Sequence, residues 1–314
     1  MGKVDNISKE YIGQNEVFAD LFNYAIYGGI HMVVPEDLEE LDTTQILNII
    51  NKEKGYNISL QKFRDIFKLC IMKNGSDFSY ILLGVENQTD INYAMPTRVM
   101  LYDALGYNSQ VQEIAKENKK NKKYRGSAEF LSGVLKSDKI KPIITVVVYL
   151  GAKKWDAPRS LCDMLDIDED NKKYMQDYKL NLIIPEEIED FSSFRTELGS
   201  VLKFIKYSED ANEMSKLLKN DTVFHNMDHT AARLIGEVCG VNIQKEYEKD
   251  GEIDMCKAWE DMKKIVEAET AERVETNTKE KLILSMIQEG IEDDVILKIS
   301  QVSKEKFQEI KNRS

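Results

Sequence analysis

Between Phe63 and Gln88 two apolar runs bracket one polar turn, and this pattern constrains the chain most. The first run is Phe63-Arg64-Asp65-Ile66-Phe67-Lys68. The turn is Lys73-Asn74-Gly75-Ser76-Asp77, and the second run is Tyr80-Ile81-Leu82-Leu83-Gly84-Val85-Glu86-Asn87-Gln88. Gly, Asn, Ser and Asp clustered between apolar stretches predict a β-hairpin. Side chains two apart on a strand share a face, so Glu86 and Gln88 point the same way. A carboxylate on one strand, Asp65, and an acid-x-amide pair ending its neighbour could hold a hard divalent cation against a phosphate.

The hairpin sits in a chain of 314 residues, 42% hydrophobic, which is long enough for a substantial core and too apolar for a disordered chain. The longest apolar run, 143–152, is too short to span a bilayer, and the start Met1-Gly2-Lys3-Val4-Asp5-Asn6 carries no secretory pattern. Cys70, Cys162, Cys239 and Cys256 are widely spaced with no CxxC pair, which reads as reduced and cytoplasmic. A net charge of −12 argues against a protein coated by nucleic acid. Local patches still count, and Lys119, Lys120, Lys122, Lys123 and Arg125 form one. That run is either a solvated loop or a phosphate-contacting surface.

Periodicity predicts a helix over 11–27 and another over 91–116 with Pro96 near its start. Residues 43–51 fit a short strand or a helix. The β-branched run 143–150 reads as a strand buried on both faces. A helix is expected from Trp155 through Leu165 with Asp156 as N-cap, then a strand over 180–184 closed by Pro185. Helices follow over 192–207, 210–218, 227–239 and 258–284, the last highly charged. Two short helices end the chain in a spacing like a small helix-turn-helix unit. The first half alternates strand and helix and the second is helical, so the class is mixed α/β with an α-helical extension. His225 and His229 have metal-ligand spacing but lack the Glu of a zinc hydrolase, and Asp228 reads better as an N-cap. Trp155 and Trp259 read as core or interface residues.

Five segments together carry a family likeness: residues 15–23, 64–67, 82–88, 95–102, and 146–151 followed by Trp155. In order and spacing they resemble the Rpn-like recombination-promoting nucleases, a transposase-labelled family of the PD-(D/E)XK nuclease superfamily. The resemblance implies a restriction-endonuclease-like core, a mixed sheet flanked by helices, over residues 1–190. It is followed by a helical extension over 191–255, a charged helix over 256–284 and a small helical segment over 285–314. It implies that Asp65 and Glu86 bind the metal, Mg²⁺ or Mn²⁺, that Glu16 completes the site, and that Gln88 stands where the superfamily has Lys. Arg98 and Tyr102, four apart on one helix face, would line the site. The implied activity is metal-dependent hydrolysis of DNA phosphodiester bonds, with the Lys119–Arg125 run on the phosphate backbone. Gln88 can orient a water but brings no charge, and the Pro that precedes the first Asp in the superfamily motif is missing. The alternative is a nuclease-fold scaffold without catalysis that binds DNA or protein. In either case the charged helix would favour self-association, and no membrane is expected as a partner.

Overall fold

The β-branched run becomes an interior strand of a sheet. The computed structural model describes residues 3–40, 65–74 and 77–312. Its main sheet has five strands: β1 (Leu38–Glu40), β2 (Ile66–Asn74), β3 (Asp77–Gln88), β4 (Ile143–Tyr149) and β5 (Asn181–Ile183), adjacent in that order. β1, β2 and β3 pair antiparallel, while β3, β4 and β5 pair parallel. The fold is therefore mixed α/β, with helices on the sheet and a helical C-terminal region. Val146, Val147 and Val148 are all fully buried. Successive strand residues point to opposite faces, so β4 is covered on both sides.

Among the described residues the helices are α1 (Lys3–Ile12), α2 (Asn15–Ala25), α3 (Met95–Lys120), α4 (Ser127–Ser132), α5 (Glu169–Lys172), α6 (Leu198–Tyr207), α7 (Ala211–Asn220) and α8 (His229–Cys239). After them come α9 (Met255–Gln288), α10 (Asp293–Ser300) and α11 (Lys304–Lys311). A small sheet pairs Met227–Asp228 with Glu252–Ile253, and the latter with Glu248–Lys249.

One face of the main sheet carries α3, which makes the crossover from β3 to β4. Pro96 sits in its first turn, where its missing N–H costs nothing. Met95 and Val99 pack with Val147, Tyr149, Trp155, Ala157 and Ile184, and Phe67 and Ile143 pack with Leu69 and Tyr107. Gly106 lets the helix approach closely: a Cβ there would lie 2.6 Å from Ile143 Cδ1. Asp103 accepts from Thr145 Oγ1 at 2.7 Å and from the Tyr178 hydroxyl, tying α3 to β4 and to the approach to β5.

The opposite face meets the N-terminal helices through a buried cation. Lys68 alternates with Phe67 on β2 and donates to Gly13 O (2.6 Å) and Asn15 Oδ1 (2.5 Å), with its ammonium 5.4 Å from the Phe18 ring centroid. Fully burying Lys68 requires such partners.

Three expected helices differ. The helix expected over 11–27 is two helices broken at Gly13, where a Cβ would strike Lys9 O at 2.4 Å. The stretch 155–165 forms a loop with one bridge, Ser160 to Lys179, and a single 3-10 turn at Cys162–Met164. Asp156 accepts from the Tyr93 hydroxyl instead of capping a helix, and Trp155 is buried with Nε1 donating to Ala157 O. The third helix starts at Leu198, not Ser192. The buried Asp20 carboxylate takes the N–H groups of Arg195 (3.0 Å) and Thr196 (2.9 Å) and the Thr196 hydroxyl (2.7 Å), which holds that stretch open. Residues 43–51, Phe63, Arg64, Gly75 and Ser76 lie outside the described residues.

The chain divides into two compact units, residues 1–255 and 256–314. Within the second, Ile283, Ile296, Phe307 and Ile310 form a core that joins the end of α9 to α10 and α11. Lys311 to Asp293 (2.6 Å) and Lys306 to Glu280 (3.3 Å) fasten its edges. No helix among the described residues is long and apolar enough to cross a membrane.

Candidate active site

Two hydrogen bonds fasten Asp65, which directly precedes β2, beside Glu86 of β3. Ile66 pairs with Val85; the Asp65 N–H donates to Val85 O at 3.1 Å and its Oδ2 accepts the Asn87 N–H at 2.8 Å, so Asp65 bonds the residues on either side of Glu86. Glu86 also pairs with Val147 of β4, so it sits inside the sheet and is fully buried.

Two cations meet these acids. Arg98, from the first turns of α3, places Nη2 3.2 Å from Glu86 Oε2. Lys9, from the last turn of α1, places Nζ 3.0 Å from Asp65 Oδ1. The other Asp65 oxygen accepts the Asn87 N–H at 2.8 Å. Arg98 Nε donates to the Tyr102 hydroxyl at 2.9 Å, and its guanidinium lies 5.6 Å from the Tyr102 ring centroid. Gln88 shares a face with Glu86, and its Nε2 donates to Asn87 O at 2.8 Å.

The environment holds Arg98 cationic. Burial works against its charge, but Glu86, Tyr102 and Asp65 outweigh it and raise its pKa above the usual guanidinium value. Burial likewise raises the Tyr102 phenol; Arg98 opposes this, while Glu86 and Asp65 reinforce it. Tyr102 is thus a neutral hydroxyl at physiological pH.

Hard carboxylate oxygens such as those of Asp65 and Glu86 suit Mg²⁺ or Mn²⁺. The donor set therefore fits a divalent ion.

Asp65, Glu86, Arg98 and Tyr102 converge, and Gln88 lies at the same strand end. Glu16 is exposed in the first turn of α2. Lys119, Lys120, Lys122, Lys123 and Arg125 are all exposed, at the far end of α3 and in the loop beyond it. At 1.5 Å per residue Lys119 lies about 30 Å along the helix from Arg98. Lys123 is partly offset by Glu117 at 3.1 Å. Lys9 escaped the sequence reading, since nothing in a lone lysine near a helix end marks a strand far downstream as its partner. At the set-aside histidine pair, Asp228 caps α8 through the N–H groups of Thr230 (2.8 Å) and Ala231 (3.1 Å).

Residues 60–233, more than half of the chain, match the family described as "Putative transposase, YhgA-like". The chain belongs to this family. This family assignment agrees with the resemblance to the Rpn-like members of the PD-(D/E)XK superfamily read from the five segments. The match covers β2 through the start of α8 and so contains Asp65, Glu86, Gln88, Arg98 and Tyr102. No curated protein and no solved structure matches the YhgA-like chain significantly.

Proposed function

We propose that this YhgA-like chain is a divalent-metal-dependent endonuclease that hydrolyses DNA phosphodiester bonds, with Asp65 and Glu86 holding Mg²⁺ or Mn²⁺. One observation carries this reading: Asp65 is hydrogen-bonded to both chain neighbours of Glu86, with Lys9 and Arg98 within ion-pair distance of the two carboxylates. When bound, the ion supplies Lewis acidity toward a phosphoryl oxygen and a more acidic water.

The chain's own residues then have distinct tasks. Arg98 balances Glu86 before a metal arrives and offers its planar fork to a phosphate afterwards. Tyr102 fixes the Arg98 side chain through the Nε contact. Gln88, at the open end of β3, orients a water through its amide. Lys9 supplies the positive charge that the PD-(D/E)XK pattern takes from the position Gln88 occupies. Glu16 is an outer acidic ligand in this scheme. The Lys119–Arg125 run holds the DNA backbone about one duplex turn from the site, as ~30 Å of helix nearly matches a 34–36 Å turn. Self-association through the exposed, charged helix α9 is part of the same proposal. No disulfide joins the four cysteines, which suits a reducing cytoplasm.

A second reading rests on the same contacts. Two acids and two bases already neutralise one another, and Gln88 is turned onto its own backbone. Such a network also suits a fold that binds DNA or protein without cutting. Supercoiled plasmid incubated with Mg²⁺ or Mn²⁺ separates the two. Cleavage by the native chain and none by Asp65→Ala/Glu86→Ala supports the nuclease; equal behaviour of both proteins rejects this site.

A further inference from the structure

The stretch from Lys116 to Lys141 reverses the charge of the chain. Nine Lys and Arg residues stand there against three acids, a local net charge of +6 in a protein of −12. All nine basic side chains are exposed. Amid them, on α4, Phe130 is 69% and Leu131 84% exposed. Each leaves most of its apolar surface in water, which burial would favour.

The segment is held in place. Tyr124 donates its hydroxyl to Ala115 O at 3.0 Å and meets the Phe130 ring edge-on at 5.9 Å. Asn118 Nδ2 donates to Gly133 O (3.2 Å) and Asp138 Oδ2 (2.7 Å). Gly133, at φ 75°, ends α4 in a left-handed turn that few side chains accept. Glu129 accepts from the Arg125 N–H at 2.7 Å. The result is a pinned helix of six residues that presents two apolar side chains outward from a cationic shelf.

We propose that Phe130 and Leu131 form a wedge that enters between bases of a DNA duplex whose backbone rests on the surrounding lysines and Arg125. Charge complementarity selects a polyanion, and the shelf shares α3 with Arg98 and Tyr102, which directs the choice to the DNA of the proposed reaction. Apolar wedges flanked by basic side chains unstack base steps in this way. Binding then favours DNA already weakened by a mismatch or a single-stranded gap. The inference rests on the DNA reading above but not on cleavage.

The test uses the full chain carrying Asp65→Asn in metal-free buffer, a duplex labelled with 2-aminopurine, and fluorescence anisotropy. The expected result is a 2-aminopurine increase on binding. Phe130→Ala/Leu131→Ala should abolish it and weaken affinity about tenfold, with the salt dependence unchanged. Lys119→Gln/Lys120→Gln/Lys122→Gln should flatten the salt dependence instead. No DNA binding, or equal binding and signal in the double alanine variant, overturns the wedge. So does a double variant that loses only cosedimentation with phosphatidylserine vesicles. Plasmid cleavage by the native chain is read in parallel. Wedge behaviour without cleavage removes the nuclease and keeps the wedge; cleavage without wedge behaviour does the reverse.

Discussion

Arg98 Nη2 stands 3.2 Å from Glu86 Oε2, and the carboxylate it faces is fully buried while the guanidinium keeps some exposure. A buried charge that loses its partner is strongly destabilising. Arg98→Ala should therefore lower the unfolding free energy by on the order of 3 kcal/mol in urea titrations at pH 7. Glu86→Gln, which removes the charge and keeps the shape, should cost less, and it should recover part of the loss when combined with Arg98→Ala. A single Arg98→Ala variant as stable as the native chain would show that something else permits the burial of Glu86.

Divalent ions should stabilise the fold. An ion that binds only the folded chain at about 100 times its Kd adds about 2.7 kcal/mol, which thermal melts detect as a higher Tm. The shift with Mn²⁺ should be absent in Asp65→Ala. Equal shifts in both proteins would place the ion elsewhere.

Lys9 and Gln88 should be exchangeable in charge. Lys9→Gln is expected to slow plasmid cleavage by about 100-fold, the scale of losing one aligned electrostatic contact. Gln88→Lys added to it should restore much of the rate by returning a cation to the strand end. Failure of the second change to rescue would assign Lys9 a purely structural contact with Asp65.

Asp20 makes a different kind of contact, since its carboxylate closes the backbone of Arg195 and Thr196. Asp20→Ala leaves those backbone donors without their acceptor. The expected cost is about 3 kcal/mol, from hydrogen bonds to a charged group worth ~1.5–3 kcal/mol each. Asp20→Asn retains one acceptor and should lose less, and urea midpoints order the two variants.

Burial, aided by Asp37, pushes the Cys70 thiol up to about 11. The folded chain thus keeps that proton to higher pH than the unfolded chain, whose thiols titrate near ~8.5. The stability linked to it is fully present below about pH 8.5 and is lost as pH rises toward 11. Native Cys70 should resist iodoacetamide at pH 8 until the chain is unfolded. In Cys70→Ala the alkaline loss of stability should be shallower, as read by urea titrations across that range.

The sequence by itself determined the hairpin, β4, β5 and the long α3. Each is carried by a local signal: a polar turn between apolar runs, a β-branched run, a Pro in a first turn. The hairpin pattern also singled out Asp65 and Glu86, and the family resemblance added Arg98 and Tyr102, which a helix period of 3.6 sets on one face. Only the tertiary structure decided where non-local bonds override local preference. Trp155 buries itself and Asp156 bonds Tyr93, so the expected helix at 155–165 never forms. Asp20 captures the backbone of Arg195 and Thr196 and delays α6 to Leu198. Lys9 meets Asp65 because the N-terminal helices and β2 are packed together, and packing between distant segments leaves no periodic trace in either of them.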